Sequence, residues 1–242
     1  MLTIKNKTEV AEIYISGDIV DDDEGGWLSD WRDNTTGYEF PAKLREQLNA
    51  IGKETPLDVH INSCGGSVFA GVAMANFIKN HKGKTTAIID GIAASIASQI
   101  FFSADECKMP SNAYLMLHKP YTRLEGNSDE LRKAAEILDT LQSGLESTYN
   151  EKACIGITED YIHKIVNDET WLTGTEAVEI FKIKLLKPVE TLNAVGNVNK
   201  LKARGIKIPD ALNFLEETAP MNGAQNYIQQ VFERMEGMKI VC

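Results

Sequence analysis

Ser95 closes the run GIAAS, directly after a β-rich stretch and at the start of a helix of small residues. A hydroxyl at a helix N-terminus gains from the dipole, and alanine neighbours leave room for a substrate. His118 follows 23 residues later, at the end of YLML and two residues before Pro120. A serine hydroxyl is a poor nucleophile until a base takes its proton, and neutral imidazole is the usual base. Gly65-Gly66, between a strand pattern and a helix pattern, permits positive φ and a close approach of backbone to a ligand. Amides at such a turn can point outward and stabilise a tetrahedral oxyanion. Hydroxyl, imidazole and amides together would perform acyl transfer. Each alone is weak: glycine pairs are common turn punctuation, and the neighbouring Ser98 and Ser103 read as serines packed in a tight helix contact. An acid should orient the imidazole. Glu125, Asp129, Asp160, Asp168 and Glu169 all follow His118, and spacing does not choose among them. His60, His81 and His163 lie in a strand, a polar turn and a polar helix, where structural or exposed roles are usual.

The elements that must hold these groups alternate between strand and helix. AEIYISGDIV reads as a strand, and the polar stretch 21–39 as a loop with Trp27 and Trp31 as anchors. FPAKLREQLNAIG carries Leu44, Leu48 and Ile51 at helical spacing, with Gly52 as a stop. LDVHIN alternates as a half-buried strand and runs into SCGGS and the helix VFAGVAMANFIKNHKG. TTAIIDG is a buried strand and IAASIASQIFFSA a helix, while ECKMP and NAYLMLH are short strands around Pro110-Ser111-Asn112. A long amphipathic helix spans about 128–155, with Leu131, Ala135, Leu138, Leu141 and Leu145 on one face. EDYIHKIVND forms a shorter helix, and Thr173 with Glu176 makes a capping box opening TGTEAVEIF. This order defines an α/β class with parallel strands and crossover helices. After about Val189 the apolar pattern thins, so 1–189 reads as one domain and 190–242 as a C-terminal extension, partly helical or flexible.

Composition narrows the partners. The 242 residues carry 25 basic and 35 acidic side chains, a net charge of −10, which argues against a nucleic-acid footprint. No run reaches the roughly 18 apolar residues of a membrane span. The polar start MLTIKNKTEV shows no secretory signal. The four cysteines, Cys64, Cys107, Cys154 and Cys242, have no CxxC spacing and read as small buried thiols of a reducing cytosol. No phosphate loop, zinc spacing or dinucleotide fingerprint occurs, so neither metal nor cofactor is expected.

INSCGGSVFAG, GIAASIAS, LMLHKP and ETWLTGTEAVE, in this order over about residues 10–190, resemble the Clp protease proteolytic-subunit family. The resemblance implies a crotonase/ClpP-like αββ superhelix assembled into a homo-oligomeric ring. It implies Ser95 as nucleophile, His118 as general base and the Gly66 and Ile96 N–H groups as oxyanion hole, with Gly65 shaping the turn. Aligning Trp171 with the family's aromatic residue puts Glu169 where the acidic member stands, with Asp168 as the alternative one position earlier. Cys64 replaces the usual proline before the glycine pair, which frees an N–H, and reads as a packing residue. Phe181 and Lys184 stand where the family commonly has Gly and Asp, so the end of the core is expected to be rebuilt.

The insertion around Trp27–Asn34 and the extension after 189 are similar to the ClpP-related head-maturation proteases of tailed phages. That likeness implies an ATP-independent serine endopeptidase acting on capsid or scaffold protein, in the bacterial or infected-cell cytosol or the procapsid. Two other readings stand beside it. One is a quality-control peptidase working with an unfoldase. The other is a catalytically inactive or acyl-CoA-binding relative that shares the fold.

Overall fold

The computed structural model describes residues 10–31, 37–188 and 207–208. One unit runs to Lys207; the following unit, 208–242, lies outside the described residues except for Ile208, as does nearly all of the expected extension.

Alternating side chains build the centre of the sheet. In β1 (Ala11–Ile19) Ile13 and Ile15 are buried, and in β3 (Leu57–Gly66) Leu57, Val59 and Ile61 are buried completely. The parallel register Ile13↔Val59↔Ala87 and Ile15↔Ile61↔Ile89 continues this layer into β4 (Thr85–Ala94). A period of two puts one face of each strand in the core. Met74 and Ile78 of α3 (Val68–Lys79) and Ile100 and Phe101 of α4 (Ile96–Phe102) belong to the same buried cluster. The sheet order is β2-β1-β3-β4-β5-β8, with β2 at Gly37–Glu39, β5 at Glu106–Pro110 and β8 at Ile183–Leu186.

The position of the site depends on a fork in β4. Its first half, Thr86–Ile88, pairs with Glu106–Lys108 of β5. Its second half, Ile92–Ala94, pairs with Tyr114–Met116 of β6 (Tyr114–Leu117). The two short strands expected around Pro110 therefore do not form a hairpin; both run parallel to successive parts of one strand. Beyond β6 the sheet adds an antiparallel strand, β7 (Thr170–Thr173), with Leu117 opposite Thr170.

The segment 21–39, expected to be a loop, contains α1 (Asp22–Trp31) as well as β2. Asp22, Asp23 and Glu24 occupy the first turn, where negative charge suits the dipole. Asp22 also accepts from the Ala42 N–H at 2.7 Å, at the start of α2 (Pro41–Ala50). Gly25 lets α1 lie against Phe40; a Cβ there would stand 2.4 Å from its ring. Trp27 is 54% exposed and is not a buried anchor, while the Trp31 side chain lies outside the described residues.

α5 (Ser128–Lys152) opens with an Asn127–Glu130 capping box, and its apolar face divides. Leu145 and Tyr149 enter the core, whereas Leu131 on that face is 45% exposed and Ile137, beside the face, is 50% exposed. α6 (Glu159–Asn167) leads into β7, and the expected Thr173–Glu176 capping box opens α7 (Gly174–Ile180). Phe181 is fully buried with its ring 4.8 Å from Phe102, and the chain continues into β8, where Lys184 pairs with Lys108. No helix of the described residues is long and apolar enough to cross a membrane.

Candidate active site

Ser95 follows the last residue of β4 and caps α4 with φ 58° and ψ −130°. A non-glycine residue at positive φ costs about 1–3 kcal/mol, so its neighbours must hold it there. Its N–H donates to Met116 O at 3.0 Å, which ties it to the strand that delivers His118. His118 stands one residue past β6, and its Nε2 lies 2.7 Å from Ser95 Oγ. The fork in β4 makes this contact: pairing Ala94 with Met116 brings the two strand ends side by side.

The glycine turn closes on the same point. Gly65 has φ 87°, and a Cβ there would stand 2.8 Å from Ser95 Cβ and 3.1 Å from Ile96 N. Its own N–H is committed, donating to Ser63 Oγ at 3.0 Å, while that hydroxyl donates to Gly17 O at 2.6 Å. Ser63 is thus a latch on the turn that sequence reasoning missed; its only sign was a polar residue ending an apolar strand. Gly66 packs against β1 so closely that a Cβ would stand 1.9 Å from Ile19 O. Ile96 is the first residue of α4, where helix N–H groups have no acceptor within the helix.

The two acidic candidates part company. Asp168 caps the C-terminus of α6 and its carboxylate pairs with Lys164 on the surface. Glu169 has φ 53° and directly precedes β7, whose first residue Thr170 pairs with Leu117, the residue before His118. Its Oε1 accepts from the Lys207 N–H at 3.3 Å. Glu125 and Asp129 lie on exposed ground before and within the first turn of α5, and Asp160 is exposed on α6.

The other histidines have structural surroundings. His81 Nε2 donates to Thr55 O at 2.8 Å, and His163 Nδ1 lies 3.0 Å from Glu146 Oε1. His60 Nδ1 lies 2.8 Å from Asp90 Oδ1, and its ring stacks on Tyr14 at 4.7 Å. Burial alone would lower the His60 value, but the hydrogen bond and charge of Asp90, with Glu12 and Asp58, carry it above the ordinary 6.5. A raised value in the folded state stabilises it below the ordinary value, and that gain is lost as pH rises through the folded one. The Tm difference between wild type and His60→Gln should therefore be widest near about pH 5.5 and shrink toward about pH 9. A gap that widens with pH would contradict the pairing. Thermal unfolding across that range measures it.

Among the described residues, Cys64, Cys107 and Cys154 are in no disulfide. Cys64 is buried beside the glycine turn, in keeping with a packing role. Burial pushes the Cys107 thiol up to about 11, well away from reactivity.

A serine at a strained strand–helix turn, in contact with a histidine and bordered by a glycine turn, has the arrangement an acyl-transfer site uses, here on a mostly parallel α/β sheet. Residues 39–181 match the family model described as Clp protease. The chain is 28% identical over 147 residues to ATP-dependent Clp protease proteolytic subunit 2 of Treponema denticola, spanning 58% of this chain and 72% of that protein. It is 27% identical over 156 residues to the subunit of the same name in Tropheryma whipplei, spanning 63% and 84%. For the proteolytic subunit of Chlorella vulgaris the figures are 28% over 134 residues, 54% and 66%. The chain belongs to the Clp protease family, a family of serine peptidases.

Proposed function

We propose that the protein is an ATP-independent serine endopeptidase that processes capsid or scaffold protein during phage head maturation. The observation that carries the chemistry is the 2.7 Å contact between Ser95 Oγ and His118 Nε2. In this reading His118 Nε2 takes the proton as Ser95 Oγ attacks the scissile carbonyl. The Gly66 and Ile96 N–H groups receive the oxyanion; Gly65 and Ser95 do not, since their amides are committed to Ser63 and Met116. His118 then passes the proton to the leaving amine, and water hydrolyses the acyl-enzyme. Glu169 completes the triad, a role supported by its place next to the Leu117–Thr170 pair and by the pairing of Asp168 with Lys164. Residues 1–189 carry the peptidase and 190–242 form an extension. The exposed Leu131 and Ile137 suit burial between subunits of a homo-oligomeric ring.

The phage role rests on the insertion before β2 and on the 61 residues beyond the family match, which ends at residue 181 of 242. A second reading, a quality-control peptidase paired with an unfoldase, is favoured by the relatives, whose names describe ATP-dependent enzymes. The acyl-CoA reading is disfavoured by the Ser95–His118 contact and the peptidase relatives.

Two experiments separate these. A fluorophosphonate should label wild-type protein at Ser95, mapped by mass spectrometry; an unlabelled serine together with CoA binding would favour the acyl-CoA relative. Incubation with a phage scaffold or capsid protein should give discrete cleavage without ATP. Degradation only when an ATP-driven ring is added would transfer the assignment to quality control. Glu169→Ala should lower kcat on the order of 10³-fold or more, whereas Asp168→Asn should leave it within about two-fold. The reverse pattern would hand the acidic role to Asp168.

A further inference from the structure

Ser98 sits one turn beyond Ser95 in α4, completely buried, where the sequence suggests a packing serine. Its Oγ lies 2.6 Å from the carbonyl oxygen of Ser95 and 2.7 Å from the hydroxyl of Tyr149, which comes from α5. The proton directions follow from valence. A carbonyl can only accept, so the single Ser98 proton is committed to Ser95 O, and Tyr149 must donate to Ser98 Oγ. The chain Tyr149 O–H to Ser98 O–H to Ser95 C=O is thus unidirectional and buried. Burial also raises the Tyr149 hydroxyl above its ordinary value, which keeps it a donor. Tyr149 is held by its edge-on ring contact with Phe102, 5.8 Å between centroids.

The Ser95 carbonyl and the Ile96 N–H belong to one planar peptide and point in opposite directions. Fixing the oxygen on the core side therefore aims the N–H toward the open side of the turn. The Ser98 N–H also holds that oxygen, at 3.0 Å, but a single bond leaves the plane free to tilt. Two donors at one oxygen resist that tilt, and the Tyr149 hydroxyl polarises the second of them. The Ser95 N–H is held independently by Met116, so both ends of the strained residue are anchored.

We infer that Ser98 and Tyr149 are positioning residues that hold the Ser95–Ile96 peptide plane and so orient the oxyanion-hole N–H of Ile96. This rests on the proposed reading of Ser95 as nucleophile. Losing an oxyanion donor outright costs about 10²–10³ in kcat, so misaiming one should cost on the order of 10-fold.

The test is the maximal labelling rate of folded full-length protein by a slow fluorophosphonate, with the half-saturating concentration measured in parallel. Ser98→Ala should slow labelling on the order of 10-fold and Tyr149→Phe about 3-fold, with half-saturation unchanged within about two-fold. The double variant should be no slower than Ser98→Ala, since Tyr149 acts through that hydroxyl. The pH midpoint of labelling should not move, because His118 is untouched. Tyr149→Phe keeps the ring and its packing, so the test survives if Ser98→Ala fails to fold. A purely structural role would lower Tm and leave the labelling rate per folded molecule intact, overturning the inference, and strictly additive losses would overturn the relay. Absence of labelling in wild type would instead overturn the reading of Ser95 as nucleophile.

Discussion

Replacing Ser95 with alanine should abolish peptide-bond cleavage, by on the order of 10⁴-fold or more, while the protein stays folded. The reason lies in how the two side chains work. In the proposed mechanism the hydroxyl forms the acyl bond and the imidazole carries its proton, so neither has a function in the reaction without the other. His118→Ala should therefore fall to nearly the same residual rate, and the double variant should be no worse than either single one. Folding should survive because β4, α4 and β6 are held by their buried faces and ladder pairs, while the Ser95 anchors to Met116 and Ser98 use backbone that alanine keeps. At positive φ alanine and serine carry the same steric penalty, since each has a Cβ. Steady-state cleavage with circular dichroism on the same samples measures both quantities. A Ser95→Ala protein that still cleaves would remove serine 95 from the nucleophile's place.

Gly65→Ala should damage both stability and activity without touching a reacting group. Its φ of 87° lies where L-residues are strained, and the new Cβ would stand 2.7 Å from Ala94 O and 2.8 Å from Ser95 Cβ. These obstacles are backbone and the nucleophile's own stem, which cannot swing aside. Strain at positive φ and overpacking each cost roughly 1–3 kcal/mol, so stability should fall by about 3 kcal/mol. For a domain of this size that lowers Tm by about 6–12 °C. Activity should fall further than stability explains, on the order of 10²-fold, because displacement of Ser95 by a fraction of an ångström spoils its alignment with His118. Gly144→Ala provides the contrast: α5 has open space there, and the change should raise stability by about 0.5–1 kcal/mol with activity unchanged. Equal, mild effects at both positions would mean that the turn at Gly65 does not constrain the nucleophile. Thermal melts and labelling rates, compared at equal folded fraction, decide it.

Much of the site was legible without coordinates because its parts are local chemical events. Gly65-Gly66 after an alternating strand, a serine opening an alanine-rich helix and a histidine ending an apolar strand each announce themselves within a few residues. The capping box Thr173–Glu176 and the buried alternation of β3 are of the same kind, set by side-chain spacing and short-range hydrogen bonds. The acidic stretch at 21–39 misled because turn-forming residues dominate it. Three acids on a helix dipole and the close seat of Gly25 on Phe40 turned part of it into helix.

Sequence by itself determined which residue types stand at strand ends, which faces are apolar and which three segments carry the candidate serine, histidine and glycine pair. Tertiary structure alone decided that β4 forks between β5 and β6, and so that Ser95 and His118 meet. It also set Asp168 on the surface beside Lys164 and Glu169 directly before β7, and left Leu131 on the apolar face of α5 exposed. The physical reason is range. A cap or a strand alternation is settled by neighbours a few residues away, whereas strand partners and register follow from burying the whole apolar surface at once.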